Sequence, residues 1–378
     1  MIVLLSAGIS IYSCQSSFWV RPAKNIPRQI AHEDSLTKFY ASKGKFNHLC
    51  DMYFLEKYQL LVASDWNVLE FKWGAIDFWS LDSGKLNRVI TLRGGDQVYR
   101  MIASHDQELL FVAVENEFFD DNYVACFSVR TMQWIWKDTS LEEGYGSAFT
   151  KDDQEIVFVG KHHIYYLNSV NGSVIRKISS AIHTSWWWPR YFSHLVLLNN
   201  EGTLLMEWTE PMYGGEHGLG EGAYEKTKGL EVYDLSDPDH PLFQTDKPGI
   251  GIGSALFSVD NDSIMLAGLN GSLYEWSLRD NMVRKRATIC DGAIDYLFSS
   301  RKRHLSGIYS NNAIIFDDSS FQQIKQFDKI SEGWTAFSRA PLVFSSDGLY
   351  FALEQRGVVC LYDTKTWKEI WHFNTLPH

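Results

Sequence analysis

The feature that most limits what this chain can fold into is a recurring short segment with an aromatic side chain near its end. The anchors are Trp79, Phe127, Tyr166, Tyr233, Trp276, Phe316 and Tyr362, separated by 48, 39, 67, 43, 40 and 46 residues. Around the last anchor, LVFSSDGLYFALEQRGVVCLYDTKTWKEIWHF (342–373) divides into four apolar runs: LVFS, LYFALE, VVCLYD and EIWHF. The turn residues SSDG, QRG and TKTWK separate them. Four strands joined by tight turns make one antiparallel meander, and the same pattern recurs up the chain. No segment carries a sustained helical period.

Repeats in the forties point to radial arrays of four-stranded sheets. The expected fold is therefore all-β: a seven-bladed β-propeller of four-stranded antiparallel blades. LYDTKTWKEIWHF resembles a blade ending of the WD40-like and quinoprotein-like propeller superfamily, in which a strand, a D-x-x-T-G-K turn and an outer strand with Trp follow one another. FWSLDSGKLNRVI (78–90) is similar, and FSSDG (344–348) resembles the inner turn common in WD40 repeats. The resemblance spans roughly 45–375, with the Gly-His pair and the Trp-Asp dipeptide of strict WD40 repeats missing. It implies a binding platform; fold alone does not imply an activity.

The domain reading has three parts. Residues 1–14 form a signal-like apolar segment, 15–44 a tether or outer latch, and 45–378 one propeller with an insertion at 209–228. MIVLLSAGISIYSC holds no charge and is too short to span a bilayer, which fits the apolar region of a secretory signal. It ends in Ile11-Tyr12-Ser13-Cys14, similar to a bacterial lipobox, with Cys14 as the acylated residue. That places the protein in the cell envelope, anchored by lipid and facing the periplasm or the exterior. The alternative is a cytoplasmic scaffold whose N-terminus is a buried strand. The other cysteines, Cys50, Cys126, Cys290 and Cys360, form no CxxC pair and sit in or beside apolar strand-like runs, so they read as small core thiols.

The 67-residue gap is the outlier among the spacings. Aligning HLVLLNNEGTLLMEW (194–208) with PLVFSSDGLYFALE (341–354) places two strands of the fourth blade, with GLEVYDL (229–235) as its third. The insertion TEPMYGGEHGLGEGAYEKTK lies between the second and third strands. Loops that long in a compact domain are commonly functional. HTSWWWPR (183–190) would be the link from the third blade to the fourth, opening on the same face. That face is expected to gather Trp66, Phe118, Phe119, Trp186, Trp188, Tyr213, Tyr224 and Trp334, with Asp120, Glu216 and His217 among them. Aromatic anchors with a charged surround suit partner recognition. Alternation along the chain turns Trp187 away from Trp186 and Trp188, so part of the run reads as core.

The net charge of −11 disfavours nucleic acid, and RKRH (301–304) is a short solvated turn. GIGIGS (249–254) is followed by no helix, so it lacks the setting of a phosphate loop. No nucleophile motif, metal-ligand set or cofactor pattern stands out. The expected function is a non-enzymatic protein- or peptide-binding propeller that uses this aromatic-acidic face. The alternatives are a carbohydrate- or small-ligand-binding propeller, or a hydrolase or lyase, at the same face.

Overall fold

The computed structural model describes residues 49–374, apart from 67–73, 93–95, 117–121, 142–143, 161, 180–191, 200, 212–229, 246–251, 259, 269, 292–293, 295, 301–304, 311, 318, 329–341 and 356–357. Four strands in sequence make each sheet. The first blade holds β1 (Leu49–Leu55), β2 (Leu60–Trp66), β3 (Gly74–Ser80) and β4 (Leu86–Thr91); the second, β5 (Asp96–Ala103), β6 (Leu109–Asn116), β7 (Tyr123–Ser128) and β8 (Gln133–Asp138). The third holds β9 (Gly144–Phe149), β10 (Glu155–Gly160), β11 (His163–Asn168) and β12 (Val174–Ser179); the fourth, β13 (Phe192–Leu198), β14 (Leu204–Pro211), β15 (Leu230–Asp234) and β16 (Asp237–Thr245). The fifth holds β17 (Ile252–Phe257), β18 (Ser263–Gly268), β19 (Ser272–Ser277) and β20 (Met282–Thr288). The sixth holds β21 (Tyr296–Ser300), β22 (Leu305–Ser310), β23 (Asn312–Asp317) and β24 (Gln323–Phe327); the last, β25 (Leu342–Phe344), β26 (Tyr350–Gln355), β27 (Val358–Asp363) and β28 (Glu369–Asn374).

Among the described residues these strands form seven four-stranded antiparallel sheets, each ordered as the chain runs. The innermost strands β1, β5, β9, β13, β17, β21 and β25 touch their neighbours in turn, and β25 returns to β1. Every aromatic anchor lies in the third strand of its sheet and is buried, from Trp276 and Phe316 at 0% exposed to Tyr362 at 8%. The HLVLL and GLEVYDL alignment of the fourth blade also holds, except that β14 runs on to Pro211. SDPDH belongs largely to β16, so the preceding connection is tighter than a five-residue turn.

The core is divided among the seams. Phe78 and Ile90 of the first blade meet Val112 and Phe127 of the second. Phe111 meets Phe158 across the next seam. At the closing seam, Met52, Phe54, Leu61 and Trp79 pack against Ala352, Val359 and Leu361. The inner strands are thus buried on both faces while outer strands such as β12 and β20 are largely exposed, and each large buried side chain contributes about 1.5–3 kcal/mol.

The first and last blades close on each other without exchanging a strand. Each keeps its own four strands in order. The junction uses a clamp found elsewhere in the ring. Trp371 on the outer strand β28 donates its indole N–H to the Leu81 carbonyl at 2.8 Å. Its ring lies over Gly84, whose φ of +63° and close contact leave no room for a Cβ. Trp136 on β8 does the same to the third blade, reaching the Ser169 carbonyl at 2.9 Å and covering Gly172.

Four of the turns between first and second strands share one chemistry, while in the fourth blade the Asn199 side-chain oxygen accepts the Thr203 and Leu204 N–H groups instead. Ser104, Thr150, Ser258 and Ser345 donate Oγ–H to Asp106, Asp152, Asp260 and Asp347 at 2.6–2.8 Å. The same oxygens accept the backbone N–H five residues on, at 2.8–3.1 Å. The third residue after each Ser or Thr, namely Gln107, Asp153, Asn261 and Gly348, takes a positive φ. This is the FSSDG turn expected from sequence. In the first blade a single 3-10 turn, Glu56–Tyr58, replaces it.

Candidate functional site

Strand direction sorts the connections onto two faces. The inner turns just described and the turns between third and fourth strands lie on one. The other carries the strand ends flanking 67–73, 117–121, 180–191, 212–229 and 329–341, where second strands give way to third and blades to blades.

On the inner-turn face, the described turns bond chiefly to one another, although Asn261 Oδ1 and Ser300 Oγ are buried there without a partner. Asp153 accepts the His105 and Asp106 N–H groups at 2.8 and 3.0 Å, tying the third blade to the second. Glu56 joins Gln107 of the second blade and the Ser346 N–H of the last. Hydrogen bonds from Thr150 and Ser258 hold Asp152 and Asp260 below the usual carboxylate range. These acids are structural caps.

The opposite face is different in kind. Four acidic side chains are buried among the described residues: Asp77 at 2% exposed, Asp96 at 1%, Glu231 at 8% and Glu354 at 7%. Asp96 opens β5, Glu231 is second in β15 and Glu354 is next to last in β26, all beside this face; Asp77 sits mid-strand in β3. Asp96 accepts the Tyr123 hydroxyl at 3.1 Å, and the Lys137 ammonium lies 3.3 Å from the centre of the Tyr123 ring. Glu231 is held by Tyr233 at 2.6 Å and Gln244 at 3.0 Å.

Glu354 stands across from Val359, turned toward the first blade, with burial alone pushing its carboxyl up to about 7. Asp77, two residues from Trp79 and opposite Ala63, faces the same closing seam from the other side.

A fifth acid, Asp51, lies just past a bulge in β1. Its carboxylate accepts the Met52 and Met101 N–H groups, each at 3.0 Å, and so bridges the first two blades. Burial raises it to about 6, against the pull of Arg100 and these two N–H groups. The same bulge recurs in β5, β9 and β17, as breaks in register at Val98/Arg100, Gly144/Gly146 and Ile252/Ser254. Asp51, Asp77, Asp96 and Glu354 therefore flank the first blade on both sides.

Of the residues expected at the site, the structure places Trp66 at the end of β2, paired through the backbone with Gly74 and on the face of the long connections. Phe118, Phe119, Asp120, Trp186, Trp188, Tyr213, Glu216, His217, Tyr224 and Trp334 lie outside the described residues, as does Cys14. The five buried or bridging acids were missed by sequence reasoning. Their signal was an acid inside an apolar run, as in LCDMY, AIDFW, GLEVY and FALEQ.

Cys126 and Cys360 are buried free thiols pushed up by burial, to about 12 and about 11. They are core groups, as expected; Cys290 is only partly buried.

No family model and no curated protein matches this chain. Solved structures do, in 1580 chains. A chain from the crystal structure of the mitotic checkpoint complex matches with a TM-score of 0.56 at 11% identity, covering 82% of this chain and 88% of that one. The fold is a β-propeller. At that identity the likeness extends to the fold and to nothing finer.

Proposed function

We propose that this protein is a non-enzymatic binding propeller, a seven-bladed ring whose long-connection face takes a protein or peptide partner. The observation that carries the reading is the asymmetry of the two faces. One consists of tight turns whose hydroxyls, carboxylates and backbone N–H groups bond chiefly to one another. The other receives every long connection and three of the four buried acids. Binding surfaces sit on connections held by a rigid scaffold. The aromatic segments 183–190 and 212–229 attach to this face and supply anchors of the kind that dominate interfaces. We further propose export and lipid anchoring through Cys14.

Replacing 212–229 with a short Gly-containing turn tests the surface. Loop closure varies slowly with length, so the melting temperature should stay near that of the natural chain while partner capture from native membranes is lost. Undiminished capture by the shortened protein would remove this face from consideration. In the same preparations, Cys14→Ala should move the protein from the membrane to the soluble fraction. An intact Met1 on protein from the native host would defeat the anchoring.

A further inference from the structure

At the seams between the first and second blades and the fifth and sixth, one side chain does the same job. Asp51 accepts the Met101 N–H at 3.0 Å, and Ser254 accepts the Leu297 N–H at 3.0 Å. Both acceptors lie directly after the bulge of their inner strand. The register of the hairpins makes Arg100 the equivalent residue in the second blade and Ser147 the equivalent of Met101 in the third. An acceptor is thus replaced by an obligate donor.

Strand alternation fixes where the two point. Ile102, two residues from Arg100, and Phe149, two residues from Ser147, both belong to the core between the second and third blades. Arg100 and Ser147 therefore face each other across that seam. Both carry a buried polar atom with no partner, Nε of Arg100 and Oγ of Ser147, and Ser147 is 3% exposed. The Asp51 carboxylate feels the Arg100 charge but is hydrogen-bonded by two backbone N–H groups and leaves Arg100 Nε without a bond. What the seam lacks is an acceptor, and a buried donor left without one is destabilising.

We infer that this seam is a carboxylate-binding site: an acidic side chain of the bound partner enters from the long-connection face and seats between Arg100 and Ser147. It would occupy the position that the Asp51 carboxylate fills one seam earlier. Three donors converge there: the Arg100 guanidinium, the Ser147 hydroxyl and, by equivalence with Met101, the Ser147 N–H. Charge-assisted bonds of this kind are the stronger class. A carboxylate is favoured over a phosphate because a second negative charge would lie close to Asp51 on a chain of net charge −11. The inference rests on the protein-binding reading and names the chemistry of the partner.

The test uses the full chain and acetate as the probe, followed by melting temperature, with acetamide as the neutral isostere and phosphate as the second anion. Wild type should show a saturable rise with acetate and none with acetamide. Arg100→Asp supplies its own acceptor. It removes the guanidinium and should bind acetate at least tenfold more weakly. Ser147→Ala, which keeps the charge, should weaken acetate severalfold and gives a second reading should Arg100→Asp not fold.

Equal acetate shifts in wild type and both variants would overturn the assignment. So would saturable binding of phosphate without acetate, or a crystal grown in acetate holding only water between Arg100 and Ser147. Wild-type partner capture by Arg100→Asp would also overturn it. Loss of capture on shortening 212–229 would in that case leave the protein-binding reading standing.

Discussion

Glu354 shows how one residue can be misread in a repeat of this kind. In FALEQ it sits between Leu353 and Gln355, where alternation suggests a solvent-facing position. An inner propeller strand is buried on both sides, so alternation separates one seam from the next instead of core from water. Leu353 joins the core toward the sixth blade, while Ala352 and Glu354 turn toward the first. The consequence is a pH dependence with a definite sign. The folded protein keeps the Glu354 proton up to about 7, against 4.5 for the free group. Between those values the native state binds the proton that the unfolded chain releases, so stability falls as pH rises through that window. Asp51 adds the same sign between 3.8 and about 6. Glu354→Gln should flatten the upper part of the curve and stabilise the protein at pH 8, by on the order of 3 kcal/mol. Urea midpoints at pH 5 and pH 8 measure it; parallel profiles for the two proteins would rule out Glu354 as the source.

At the scale of elements, the third strands were the legible part. Their aromatic anchors recur because each must fill the same place in a seam, and that demand is written at a fixed offset in every repeat. The Ser-x-Asp turns were legible for the same reason, since the hydroxyl and carboxylate chemistry is local. The bulges left no such trace: an extra residue in β1, β5, β9 or β17 changes the register without changing the composition. The outer-strand tryptophans were visible, but their partners were not, because Leu81 lies 290 residues from Trp371. The clamp can be tested at both of its occurrences. Trp371→Phe and Trp136→Phe each leave a carbonyl, of Leu81 or Ser169, without its donor at a buried residue. Each should cost about 1–3 kcal/mol in denaturant unfolding. A loss for Trp136→Phe with none for Trp371→Phe would mean that the closing seam is held by packing alone.

For the whole molecule, two separate arguments lead us to propose the same side of the ring, and the first rests on connections that lie almost entirely outside the described residues. The aromatic connections give the first argument, Trp66 being the one expected site residue among those described; the buried acids beside them give the second. What sequence could not supply was how the ends of the array meet. Because every described sheet is one contiguous stretch of chain, and β25 meets β1 as β1 meets β5, the closing seam is one junction among equals. A circular permutant follows from that. Joining Asn374 to Leu49 through a flexible linker and opening the chain at 292–293, between the fifth and sixth blades, cuts no strand pairing. The permutant should fold with the β-type circular dichroism of the natural order and unfold in one cooperative step, within about 2 kcal/mol of it, since chain ends at surface connections are tolerated. A permutant that unfolds in two steps, or loses a fraction of its β signal, would show that the seam between first and last blades depends on the natural placement of the ends and is weaker than its neighbours.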